Sequence, residues 1–298
     1  MDFRSKQQRF RRPEFQEKLA LARRYHRKSE PLETRFGARL VRVLILLSVI
    51  AIVYFLVISQ IFVVRNVTLT PDSQGPSGEE ISRLLKELKK TKFYSVPQNH
   101  ILFLSQKDLL PILQKQHPEV REITYLKKVF PNRMILSLAV RKPSYIWQTG
   151  ENYYLLDQDR MVFQKITRYD PVVYPEILIT DSASVNVVVG QELEIDKILK
   201  FVEKLKEIWP ALISKTNFVG FAVPAPQSLD IIAKTAYGFQ VYFDLERSAK
   251  VQLLHLKMLL DEEIRPETYA GLSYIDLRLP TVAYYCYKDA PCAEQNKK

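Results

Sequence analysis

The chain has 298 residues, is 47% hydrophobic and 26% charged, and carries a formal net charge of +11, which is enough for one large domain or two small ones. Only 8 glycines are present, few for glycine-rich phosphate loops, and the two cysteines have no nearby histidine, so they do not make a zinc site. The basic excess is local: residues 1–42 hold 13 Lys/Arg against 5 Asp/Glu, whereas residues 65–298 hold 31 against 28.

The N-terminal tail, "RSKQQRFRRPEFQEKLALARRYHRKSE", lacks a folded recognition motif. Its charge therefore reads as membrane topology and anionic-lipid contact, and no nucleic-acid partner is expected. Residues Phe15 to Tyr25 fit a short amphipathic helix on the membrane surface. Next comes "VLILLSVIAIVYFLVISQIFVV", Val43 to Val64, which is 22 residues without a charge. As a helix it is about 33 Å long, matching a bilayer core. A buried core helix of that length keeps a polar face, and this segment has none. The positive-inside rule then puts residues 1–42 in the cytoplasm and everything after Val64 outside. "SQIFVVRN" offers no small-x-small cleavage site, so the segment is expected to be a signal anchor.

After the span, "VVRNVTLT" alternates as a strand. "SGEEISRLLKELKKT" pairs Ser77 with Glu80 at capping-box spacing and places Ile81, Leu84, Leu85 and Leu88 at helical intervals. "ILFLSQKDLLPILQKQHPEV" repeats the device with Ser105 and Asp108 and an apolar stripe of Leu109, Ile112 and Leu113, in a helix shortened or bent by Pro111. "VREITYLKKVF" and "RMILSLAVR" form a hairpin that turns at Pro131-Asn132. The predicted order is β-α-α-β-β.

That order directly after a span, with "HPEVREITYLKKVFPNRMILSLAVRKPSYIW" and "YYLLDQDRMVF", resembles the FtsQ/DivIB family of bitopic bacterial division proteins, whose first folded unit is a POTRA domain. Two positions depart from the family pattern. Arg141-Lys142 replaces the usual acid-base pair, and Arg160 stands where a turn glycine is usual. Further on, strands are predicted at "VVYPEILI", "NVVVGQEL", "TNFVGFAV", "LDIIAKT" and "FQVYFD". Two helices punctuate them: one with Asp196 as N-cap, and one starting near Glu246 with Val251, Leu254, Met258 and Leu259 on one side. With "YIDLR" near the end, the resemblance extends over residues 40–288. It implies an α+β fold: one transmembrane helix, a POTRA domain over 65–141, a sheet-rich β-domain with two helices over 142–288, and a tail at 289–298.

No residue pattern points to catalysis. His26, His100, His117 and His255 share no metal spacing, and no nucleophile elbow occurs. Asp157 and Asp159 sit in a turn, and Asp261, Glu262 and Glu263 near a helix end, where solvated carboxylates are ordinary. The chain is expected to be no enzyme and to need no cofactor or metal.

The end of the chain, "GLSYIDLRLPTVAYYCY", reads as a binding edge. One parity gives Leu272, Tyr274, Asp276 and Arg278, expected outside. The other gives Ser273, Ile275, Leu277 and Leu279, expected on the core. Asp276 and Arg278 lie close enough either to pair with each other in solvent or to meet a partner. After Pro280, Val282 to Tyr287 is expected to return as an edge strand, with Tyr284, Tyr285 and Tyr287 offering contact area for a partner strand. Cys286 and Cys292 either close a small disulfide loop or remain two free thiols.

The resemblance implies the same edge, with Arg278 at the position of the family's important arginine and Val282–Tyr287 as the strand after it. It implies a non-catalytic divisome scaffold in the cell membrane at the division septum. FtsB/DivIC-like and FtsL-like coiled-coil partners would bind there, and FtsK-like and FtsW/FtsI-like proteins would meet the POTRA domain. The alternative is a POTRA-bearing component of an export or secretion machine.

Overall fold

The computed structural model describes Lys18, residues 20–21, 32–88, 92–93, 96–290 and 292. Most of the basic tail, including most of the surface helix expected at Phe15–Tyr25, lies outside the described residues, as does the terminus from 293. The architecture is mixed α+β.

Helix α1 (Leu32–Ile58) comes first, and the stretch Arg39–Phe62 is long and apolar enough to cross a membrane, with none of its most apolar window buried. The apolar run ends differently from expectation. The helix stops at Ile58, and Ser59 Oγ accepts the Ile61 N–H (3.3 Å) at the head of a 3-10 turn, Gln60–Phe62. Val63 and Val64 leave the span altogether and are buried at 2% and 1% exposure. Val64 N–H donates to Asn99 O (3.0 Å) and Ile101 N–H to Phe62 O (2.8 Å), so the exit is tied into the folded part. An uncharged apolar run looks alike whether lipid or protein receives it.

The first folded unit is a three-stranded sheet in the order β1-β5-β4, built from β1 (Asn66–Leu69), β4 (Val120–Val129) and β5 (Arg133–Val140). β1 runs parallel to β5, which needs a crossover; helices α2 (Gly78–Leu88) and α3 (Gln106–Gln116) supply it. Both predicted capping boxes are present. Glu80 N–H donates to Ser77 Oγ (3.2 Å) and Ser77 N–H to Glu80 Oε2 (2.8 Å), and Ser105 with Asp108 repeats the exchange. Ile81, Leu85, Leu109, Leu113 and Met134 are wholly buried between helices and sheet. Between the helices, β2 (Lys92–Phe93) pairs antiparallel with β3 (Val96–Pro97).

The second unit is a nine-stranded sheet ordered β14-β13-β12-β11-β10-β9-β6-β7-β8. Its strands are β6 (Tyr145–Thr149), β7 (Asn152–Leu156), β8 (Val162–Ile166), β9 (Ile177–Asp181), β10 (Phe218–Val223), β11 (Asp230–Thr235), β12 (Gln240–Asp244), β13 (Leu272–Asp276) and β14 (Tyr284–Tyr287). Helices α4 (Asp196–Leu212) and α5 (Ala249–Met258) share a core with one face of it, including Trp147, Trp209, Phe221 and Phe243.

Four expectations need correction here. "NVVVGQEL" is turn and coil, meeting the start of β8 through an isolated Met161–Glu192 bridge and the backbone hydrogen bonds of Val162 with Gly190 and Gln191. The strand expected from "VVYPEILI" begins only at Ile177, and Val172 is 89% exposed in the preceding turn. Asp196 is the first helical residue rather than the cap, and its carboxylate takes Lys200 (2.6 Å) and Arg160 (3.0 Å). Helix α5 buries Leu253, Leu256 and, just beyond it, Leu260, while Val251, Leu254 and Met258 are exposed. That helix carries apolar residues on both sides, so its own pattern does not choose the face.

Arg160 and Arg141 each have a defined structural setting. Arg160 has φ 66°, the left-handed conformation that favours glycine, and its guanidinium reaches Glu192 and Asp196. Arg141 spans the two units: its Nε donates to Pro118 O (3.1 Å) and its Nη1 to Asp157 (2.5 Å), with both charged side chains almost fully buried. Asp157 also accepts the N–H groups of Asp159 and Met161 (both 2.9 Å), which makes it the organiser of the β7–β8 turn.

Candidate interaction edge

β14 is the outermost strand of the large sheet, paired antiparallel to β13 on one side, with no strand on the other among the described residues. The opposite end is less open, because the β8 residue Val162 exchanges backbone hydrogen bonds with Gly190 and Gln191. The strand is short, since Val282 (46% exposed) lies in the irregular stretch before Tyr284 and not in the ladder.

The cross-strand register decides where each side chain points. Tyr284 faces Asp276, Tyr285 faces Ile275, Cys286 faces Tyr274 and Tyr287 faces Leu272. Directly opposed residues share a face, so Tyr284 stands with Asp276 and Tyr274 on the face away from the helices. Tyr285 and Tyr287 stand on the helix side, their rings 5.9 Å apart. A register shift between Leu272 and Tyr274 breaks the parity expected for β13. Leu272, expected outside, is therefore buried in the core, while Leu279, expected inside, is 48% exposed beyond the strand end.

The tyrosines are not equivalent. Tyr284 and Tyr285 are exposed at 55% and 40%. Tyr287 packs partly on the main core and its hydroxyl meets Thr268 Oγ1 (3.2 Å), so it supports the strand from beneath. Cys286 is buried and disulfide-bonded to Cys292, with Cα atoms 6.1 Å apart, which resolves the alternative of two free thiols. The bridge ties the residues after β14 to the face bearing Tyr274.

Arg278 is held by its own chain. Nε and Nη2 make a fork to Asp276 (2.9 and 2.6 Å), Nη1 donates to Asp230 (2.8 Å), and the guanidinium lies 5.1 Å from the Tyr242 ring centroid. Burial pushes the Asp276 carboxyl up, but the hydrogen bonds from Arg278 outweigh it and hold the group below the usual carboxylate value. The hydrogen bond from Arg278 to Asp276 raises the guanidinium above its already high value despite partial burial. Three of the five N–H donors are thus occupied, leaving one on each terminal nitrogen for anything outside.

Asp230 and Tyr242 were not singled out from the sequence. Tyr242 was legible as the polar-parity residue of "FQVYFD", between the buried Val241 and Phe243. Its ring meets Tyr274 edge-on at 5.8 Å, giving a row of Tyr284, Asp276 and Tyr242 across three strands. Asp230 carried no signal, because its partner lies 48 positions away.

The groups weighed for chemistry lie apart from this edge. Asp157 is committed to Arg141 and its turn, His255 is half-buried on α5, and Asp261 is held ionised below its usual value by Lys215 and Lys257. Among the described residues no group of three or more His, Cys, Asp or Glu is arranged to hold a metal ion. Comparison with protein-family models and with curated proteins gave no match for this chain.

Proposed function

We propose that the protein is a non-catalytic, single-pass scaffold of the bacterial divisome, of the FtsQ/DivIB kind. In this reading α1 crosses the cell membrane with the basic N-terminus in the cytoplasm. The β-α-α-β-β unit is a POTRA domain outside it, and the large sheet presents its terminal strand to a partner. The observation that carries the reading is the position of β14, an edge strand with Tyr284 and Tyr285 exposed on opposite faces. An edge offers unpaired N–H and C=O groups as a template, and flanking side chains supply the specificity. The partner is a segment of an FtsB/DivIC-like protein, paired with an FtsL-like coiled coil, that adds a strand outside β14.

Removing Val282 to Lys298 tests this. The truncated chain should lose the coiled-coil partner in pulldown while its first folded unit stays folded. Tyr285→Ala should cost about 2 kcal/mol, roughly thirty-fold in affinity. Normal binding by the truncated chain, or loss of binding only through unfolding, would refute the docking edge.

A further inference from the structure

We infer that the first folded unit lies on the bilayer itself, with Leu102, Phe103 and Phe130 seated in the outer lipid interface beside the exit of α1. The inference rests on the reading of α1 as a membrane span and concerns a surface remote from β14.

Chain geometry sets the depth. The helical residues from Val43 to Ile58, after Arg42, the last charge, rise about 24 Å, and the 3-10 turn to Phe62 adds about 6 Å, which brings Phe62 to the far edge of a hydrocarbon core of about 30 Å. The loop carrying Leu102 and Phe103 is fastened at that level. Ile101 N–H donates to Phe62 O (2.8 Å), and the Phe62 and His100 rings lie 6.0 Å apart, as the His100 and Phe103 rings do at 5.3 Å. His100 is fully buried: its Nδ1 accepts the Leu102 N–H (3.4 Å), and its Nε2 has no hydrogen-bond partner among the described residues. Burial holds this imidazole below its usual value.

A second segment converges on the same place. The tip of the β4–β5 hairpin is held to the span exit by Arg65 N–H donating to Asn132 O (2.9 Å), and to the loop by Lys128 Nζ donating to Leu102 O (3.2 Å). Leu102, Phe103 and Phe130 are exposed at 40%, 56% and 57%. Single exposed apolar residues are ordinary on a protein surface, but three large ones from two segments around one lipid-crossing helix form a patch. Arg65 follows the exit of α1, and Lys127 and Arg133 flank the hairpin tip that bears Phe130, all three exposed. Apolar and aromatic side chains at the level of the headgroups, with cations able to reach phosphates, match the composition of interfacial anchors. The occupant is the leaflet that α1 leaves, because the loop bearing Leu102 and Phe103 is hydrogen-bonded to Phe62 at the exit of that helix.

The test uses the full chain, disulfide intact, in nanodiscs of mixed phosphatidylcholine and phosphatidylglycerol. A nitroxide is placed in turn at Phe103→Cys, Phe130→Cys, Ile50→Cys and Val172→Cys, and its collisions with oxygen and with a water-soluble nickel chelate are measured. Ile50 reports the span and Val172 reports water. Labels at 103 and 130 should favour oxygen several-fold more than the label at 172 and less than the label at 50. If 50 reads as lipid while 103 and 130 read like 172, the interfacial seat is refuted and the span stands. If 50 also reads as water, the span itself fails. Labels at 103 and 130 shielded from both reagents would show protein covering the patch, and would equally overturn the proposal. Since the two reporters sit on separate segments, a local distortion at one does not decide the result.

Discussion

Substituting Arg141 with Ala should loosen the joint between the two folded units and destabilise the larger one. The guanidinium and its partner Asp157 have side chains only 9% and 3% exposed, so neither charge can turn to water. Removing one member of a buried pair typically costs about 3–5 kcal/mol, because the other charge is left uncompensated. Here the lower end applies, about 3 kcal/mol, since Asp157 keeps the N–H groups of Asp159 and Met161. For a unit of this size that is a fall in Tm of roughly 6–12 °C. Trp147 and Trp209, at 0% and 1% exposure in the large core, make tryptophan fluorescence during denaturant unfolding the natural assay. Asp157→Asn alone should cost a similar amount, leaving the cation unpaired. The double change Arg141→Met with Asp157→Asn should recover most of the loss, because asparagine still accepts both turn N–H groups. A cost below about 1 kcal/mol for Arg141→Ala, or simple additivity in the double variant, would show that the pair does not secure the joint.

Arg160→Gly should fall within about 1 kcal/mol of the parent in a thermal melt, relief of the left-handed backbone offsetting two partly exposed ion pairs. Arg160→Ala, which keeps the strain and loses the pairs, should be the less stable variant, and the reverse ranking would contradict that account. Asp276 has its folded value depressed, so its contribution is present above the unfolded pKa of about 3.9 and is lost as pH falls through the lower folded value. Acid titration of stability should therefore be shallower for Asp276→Asn than for the parent below about pH 4, and parallel curves would remove Arg278 as the cause. Protease added to intact spheroplasts should digest residues after the span and spare the basic tail, given 13 Lys/Arg against 5 Asp/Glu before it. Protection of the C-terminal units would reverse the topology.

Features that rest on neighbours within a few residues were legible in the sequence. The capping boxes at Ser77–Glu80 and Ser105–Asp108 are local exchanges of hydrogen bonds, so three-residue spacing suffices to find them. The same holds for the hairpin turning at Pro131 and for the uncharged run of α1, where composition alone yields a helix long and apolar enough to cross a membrane. Tertiary structure alone decided which surface receives an apolar group. Val63 and Val64 read as lipid-facing and went into a protein core, and α5 turned Leu253 and Leu256 inward and Val251 and Leu254 outward. In each case both environments are apolar or both helix faces are, so hydrophobicity cannot discriminate between them. The terminal edge divides along the same line. Alternation located a tyrosine-rich strand, but the register shift at Leu272 and the capture of Arg278 by Asp230 depend on strands that the chain places side by side only after folding.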